Sequence, residues 1–189
     1  MWQEWGGVVL ASVAGLPLAV LAVLVLAGWR RRRGVPARLA RRHSLAEVAM
    51  VVGTVPWIWM ILTPRRAPRQ TWLVPLTDLA NQVLHTPPVE VAVQAGGNLL
   101  VFAALGFFGP IRFPALAGPV RLLLLGAAGS ALVETLQYVL DLGRVSSVDD
   151  VLLNAAGAAL ASLLSRPWWR TEVPPPPPAR ATLGAAARR

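Results

Sequence analysis

Residues Gly129 to Gly157 read GSALVETLQYVLDLGRVSSVDDVLLNAAG. One apolar run ends in Glu134, Gln137 and Tyr138. A short link carries Arg144, and a second apolar run opens with Asp149 and Asp150 and reaches Asn154. The link Asp141 to Ser147 is so short that the two runs must be antiparallel neighbours. Ionisable groups in or beside lipid are costly and are usually held there for a purpose. This hairpin therefore predicts a membrane helix bundle with a polar cluster at one end.

The rest of the chain supports that reading. It has 189 residues, 55% of them hydrophobic and 14% charged, with mean hydropathy +0.54. Such a composition with long apolar runs points to the membrane. A span needs about 20 apolar residues. Five stretches qualify: Val8 to Trp29, Leu45 to Leu62, Val91 to Gly109, Pro119 to Leu140 and Val148 to Ser165. The predicted fold is an all-α, polytopic transmembrane bundle.

Arginine placement sets the expected orientation. Arg30, Arg31, Arg32, Arg33, Arg38, Arg41 and Arg42 follow the first span, so that loop is expected in the cytoplasm. Alternation then places Arg112, Arg121, Arg166, Arg170, Arg180, Arg188 and Arg189 inside as well. Only Arg65, Arg66, Arg69 and Arg144 remain outside. The N-terminus is expected outside and the C-terminus inside, in the plasma membrane. No basic segment precedes the first span, and the arginines follow it, as in an anchor rather than a cleaved signal. Trp2, Trp5 and Trp29 bracket it as interfacial anchors.

Three units are expected: residues 1–44 with the first span and basic loop, 45–166 as the membrane domain, and 167–189 as a Pro/Arg-rich disordered cytoplasmic tail. Between the second and third spans, Trp72, Leu73, Leu76, Leu79, Val83 and Leu84 recur at helical spacing. Thr77, Asp78, Asn81, Gln82 and His85 fall largely on the other side. An amphipathic helix over about residues 71–85 is predicted, either lying on the outer leaflet or packed on the bundle as a lid.

The polar residues converge in depth. Asn98, Glu134 and Asn154 each lie six or seven residues inside a span end, roughly 9–11 Å below the outer boundary at 1.5 Å per residue. Gln94 and Asn98 share a helix face, as do Asp150 and Asn154. Arg144 stands on the link above the carboxylates as the expected partner of Glu134, with Asp149 and Asp150 competing for it. One shared cavity open to the outer leaflet would unite Asn98, Glu134, Gln137, Arg144, Asp149, Asp150 and Asn154. A scaffold reading competes with it. Ser146 or Ser147 with Asp149 or Asp150 fits a capping box. Asn98, Gln137 and Asn154 fit interhelical hydrogen bonds, and Gly126 with Ser130 and Gly157 with Ala161 fit close helix packing.

Several function classes fall away. There is no cysteine, which excludes disulfides, thiol nucleophiles and thiolate metal sites. His43 and His85 are expected on opposite sides and cannot pair on a metal. No metal and no cofactor are expected. The net charge of +9 sits in arginine clusters beside apolar runs, which suits lipid headgroups rather than nucleic acid. Glu47 is expected to pair with Arg41 or Arg42. There is no phosphate-binding loop, nucleophile elbow or zinc motif.

These residues resemble the VanZ-like family. Leu73-Val-Pro-Leu-Thr-Asp-Leu79 resembles its Val/Ile-Pro segment, and Asn98 to Pro110, NLLVFAALGFFGP, resembles its third helix. Glu134-Thr-Leu-Gln137, Gly143-Arg144, Asp149-Asp150 and Asn154-x-x-Gly157 resemble its signature, the most specific block. Asp150 fits the signature aspartate by its spacing to Asn154. The family often has a proline before the Phe-Gly pair, where this chain has Ala104-Leu105-Gly106. That departure weakens the expected kink there. The resemblance implies an integral membrane protein, tied in the founding case to lower teicoplanin sensitivity, with no settled biochemical activity.

Three functions are expected to compete. The first is binding or shielding of an outer-leaflet lipid or lipid-linked cell-wall precursor, with Arg144 on a phosphate and the other polar groups on headgroup or sugar atoms. The second is a membrane enzyme on such a lipid, with Glu134 and Asp150 as acid, base or metal ligands. The third is a structural partner of another envelope protein. Transport fits less well, because no polar path continues to the other side.

Overall fold

The structure, a computed structural model, describes residues 2–65 and 70–169. The expected tail from Thr171 and the side chains of Trp2 and Trp5 lie outside the described residues, as do Arg66 and Arg69.

Among the described residues, seven α-helices follow one another: α1 (Trp2–Arg32), α2 (Ala37–Leu62), α3 (Thr77–His85), α4 (Pro88–Val101), α5 (Ala103–Arg112), α6 (Pro119–Val139) and α7 (Val148–Ser165). Five segments are long and apolar enough to cross a membrane: Gly6–Arg32, Ala37–Leu62, Pro88–Arg112, Pro119–Val139 and Val148–Trp168. These are the five predicted spans, and helix α7 begins and ends where the sequence places the last of them. The second helix starts earlier than predicted. After Gly34, at φ +85°, and Pro36, the residues Ala37 to Ser44 contain no helix breaker, and Ala40 and Ser44 are fully buried. The boundary expected after residue 44 therefore falls inside α2.

The bundle is layered around α7, which lies between α6 on one side and α4 and α5 on the other, while α2 covers α5 and α1 packs on α2. Leu10, Leu18, Leu24, Val120, Leu124 and Leu164 point outward and are exposed, as lipid-facing side chains are. The interior is built from small groups. Lipid offers no hydrophobic drive between helices, so close backbone approach and hydrogen bonds must hold them. A Cβ on Gly157 would stand 1.9 Å from the Leu99 carbonyl oxygen, and one on Gly106 would stand 2.1 Å from that of Ala158. Val101, Phe102, Leu122 and Ala158 form the buried core, with Trp57, Ile58 and Ile61 of α2 packed on it.

The third span is broken. Despite the missing proline, the helix interrupts at Phe102, with φ −110° and ψ 11°. The break lies between the two backbone contacts to α7, at Leu99 and Gly106. It also sets the buried Phe102 ring against Gly129 of α6, where a Cβ would meet it at 3.0 Å.

Two short strands were not visible in the sequence. β1 (Gln70–Trp72) pairs in parallel with β2 (Val145–Ser147), in the register Gln70 to Val145 and Trp72 to Ser147. The Arg65 N–H also reaches the Leu142 carbonyl at 2.8 Å. The segment before α3 is thereby fastened to the α6–α7 link. That link turns through Asp141 and Gly143, at φ +49° and +60°. The predicted helix over 71–85 is shortened to Thr77–His85, because Trp72 belongs to the strand and Pro75 precedes the helix.

Candidate functional site

Three of the predicted site residues line one cleft. Asn98 of α4 with Asp149 and Asp150 of α7 face Asp78, Leu79 and Gln82 of α3, and Gln94, Ala95 and Leu153 complete the lining. The Asn98 amide donates to the Asp150 carboxylate, and Gln82 Nε2 donates to Asp78 Oδ2 at 3.0 Å. The free space inside the cleft is about 10 Å³, room for about one water molecule. Pockets for drug-sized molecules run from about 300 to 1,000 Å³. The cleft therefore suits a small polar group and not a glycopeptide.

Asp149 and Asp150 are adjacent but do different things. Asp149 is buried, and its two oxygens accept the backbone N–H groups of Leu76 and Leu79, the latter at 2.9 Å. Leu76 occupies the N-cap of α3 at φ +65° and has no side-chain acceptor to offer. Asp149 thus supplies from another helix the carboxylate that an N-cap Asp would supply locally. Ser147 caps α7 in turn, accepting the Asp149 N–H on Oγ at 3.1 Å. That is the N-cap half of the capping motif read from the sequence. Asp150, the residue favoured for the signature position, has Asn98 as its side-chain donor and faces the cleft.

The other four predicted residues lie along the seam between α2, α6 and α7. Asn154 Nδ2 donates to Ser130 Oγ at 2.7 Å, both groups buried. Gln137 Nε2 donates to the Ile61 carbonyl at 2.7 Å. The Glu134 carboxylate accepts the Ser147 N–H at 3.1 Å. Arg144, expected on Glu134, reaches backbone carbonyls. Arg144 Nε donates to the Thr63 carbonyl at 3.0 Å, and Nη2 donates to that of Met60 at 2.6 Å. A guanidinium fork matches the free carbonyls that every helix leaves at its C-terminal end, here that of α2. The expected single cavity is therefore a cleft beside a seam. They are joined through Ser147, which meets Glu134 by its N–H and Asp149 by its hydroxyl.

Asp78 and Gln82 were read as the polar side of an amphipathic helix rather than as part of a site. The signal was their i, i+4 spacing opposite an apolar stripe. Glu47, expected on Arg41 or Arg42, instead joins Arg30 of α1 at 2.5 Å and Arg112 of α5. Arg30 also donates to the buried Ser44 hydroxyl. This knot ties three helices at the opposite end of the bundle. Among the described residues, no three His, Cys, Asp or Glu side chains are grouped so as to hold a metal ion.

Residues 48–170 match the family model VanZ/LLP1, a stretch that contains the cleft, the seam, three of the five spans and most of a fourth. No curated protein and no solved structure matches the chain.

Proposed function

This chain belongs to the VanZ/LLP1 family, and we propose that, as a multi-pass protein of the plasma membrane, it binds the headgroup of an envelope lipid or lipid-linked cell-wall precursor. The binding place is the cleft between α3, α4 and α7, on the extracytoplasmic side that the arginine distribution favours. One observation carries the reading: a small cleft at the end of a membrane bundle sets acceptors and amides, Asp78, Gln82, Gln94, Asn98 and Asp150, among the apolar Leu79, Ala95 and Leu153. Such a lining suits donors, the hydroxyls or amino groups of a headgroup. It does not suit a phosphate, and Arg144 donates to the carbonyls of Met60 and Thr63. Lower teicoplanin sensitivity would follow indirectly from holding or masking that lipid, since the cleft is too small for the drug.

Binding is favoured over catalysis by how the acids are used. Glu134 and Asp149 accept backbone N–H groups, so both serve the fold. Asp150 and Asp78 face each other across the cleft, each accepting an amide N–H, from Asn98 and Gln82, and both offer their remaining oxygens to a ligand's donors.

Native mass spectrometry of the protein released from its own membranes tests this. A lipid adduct of defined mass is expected on the wild type and is expected to fall several-fold with Asp150→Asn or Asn98→Ala. Equal adducts on all three proteins, or none on the wild type, would sink the reading.

A further inference from the structure

The two faces of α3 are reversed from those of a helix on a water-soluble core. At about 100° per residue, Leu76, Leu79, Ala80, Val83 and Leu84 fall on one arc, while Thr77, Asp78, Asn81, Gln82 and His85 fall on the other. The polar arc faces the protein. Asp78 is 4% exposed, and Gln82 lines the cleft beside it. The apolar arc faces away, with Val83 62% and Leu84 76% exposed. Leu73, Val74 and Leu76, on the approach to the helix, are exposed as well.

Both ends of α3 are fixed to membrane spans. Asp149, in the first turn of the span Val148–Trp168, holds the N–H groups of Leu76 and Leu79. At the other end, only Thr86 and Pro87 separate His85 from the span Pro88–Arg112. A nine-residue helix is about 13 Å long. Held at both ends to the starts of two spans, it lies at their level, where the bilayer core gives way to headgroups. An apolar face there meets lipid.

We propose that α3 is an interfacial helix whose Val83–Leu84 face sits among lipid chains while its Asp78–Gln82 face roofs the cleft. The occupant of the exposed apolar surface is the bilayer itself, and the roof of the cleft is a lipid-solvated lid. Asn81 and His85, exposed on the polar arc, mark the water side. The proposal stands on the membrane architecture and holds whether or not the cleft binds a headgroup.

The chain has no cysteine, so single introduced thiols label uniquely. Val83→Cys, Leu84→Cys and Asn81→Cys would each carry a nitroxide on the full chain in phospholipid nanodiscs. Leu18→Cys, in the first span, serves as the lipid reference. Power saturation with oxygen and a water-soluble nickel chelate is the readout. Expected is an oxygen-to-nickel ratio at 83 and 84 several-fold above that at 81 and approaching that at 18. Nickel access at 83 and 84 equal to that at 81 would place the face in water and overturn the proposal. Low access to both relaxants, with dipolar broadening, would show a second copy covering the face and would overturn it too.

Discussion

Asp149, in the first turn of α7, is the cap of Leu76 at the start of α3, a helix more than seventy residues earlier in the chain. The bond converts two potential liabilities into one fixed joint. A buried carboxylate needs donors, and the first N–H groups of a helix need acceptors. Leu76 can remain at φ +65°, a costly conformation for a non-glycine residue, because its N–H is held there.

Asp149→Ala is therefore expected to loosen α3 while leaving the five spans assembled. Losing a cap costs about 1–2 kcal/mol. Hydrogen exchange should show faster opening at Leu76 and Leu79, with amides in the core of α7 unchanged. Asp150→Asn should leave those amides protected, since it caps nothing. Equal deprotection in the two variants would refute this division of labour.

Teicoplanin and vancomycin sensitivities should separate the cleft from the seam. In a sensitive host, with proteins at matched membrane abundance, the wild type is expected to raise the teicoplanin inhibitory concentration selectively. Asp150→Asn is expected to abolish that rise. Glu134→Gln keeps an acceptor for the Ser147 N–H and is expected to retain most of it. Loss with Glu134→Gln but not with Asp150→Asn would move function from the cleft to the seam.

The glycine contacts on α7 give a packing test. Gly157→Ala places a methyl 1.9 Å from the Leu99 carbonyl, and backbone cannot yield as a flexible side chain can. A cost of about 1–3 kcal/mol or more is expected, seen as a lower thermal midpoint in detergent. Gly96 has nothing within 4 Å of an added Cβ, so Gly96→Ala should be neutral or stabilise by up to about 1 kcal/mol. A destabilised Gly96→Ala with an unaffected Gly157→Ala would contradict the packing.

At the other end, Glu47→Ala should be more harmful than its single charge suggests. It removes the shared acceptor of Arg30 and Arg112, leaving two guanidiniums near each other without it. Charged hydrogen bonds contribute about 1.5–3 kcal/mol. A thermal midpoint that drops with Glu47→Ala and is rescued by removing Arg112 as well would identify the coupling. No drop in the single variant would argue against it.

The legible parts of the sequence were those that act one-dimensionally. A run of about 20 apolar residues is a span whatever it touches, so five spans could be read, with every end but the start of the second within a few residues. The Gly129–Gly157 hairpin and its polar cluster were legible for a related reason: polar groups at span ends stand out against an apolar background. The start of α2 was missed because the arginines there are good helix formers that lipid hydropathy does not detect. The β1–β2 pairing was missed because three-residue strands leave no pattern.

Sequence alone determined the bundle, its spans and the presence of Asn98, Glu134, Gln137, Arg144, Asp149, Asp150 and Asn154 near one end. Only the tertiary structure decided what each one holds. Arg144 binds the carbonyls of Met60 and Thr63, Gln137 that of Ile61, Glu134 the N–H of Ser147, and Asp149 those of Leu76 and Leu79. Every partner in that set is a backbone group. Nearly every residue carries the same N–H and carbonyl, so no side-chain pattern marks which will be chosen. The choice is made by where helices end in space.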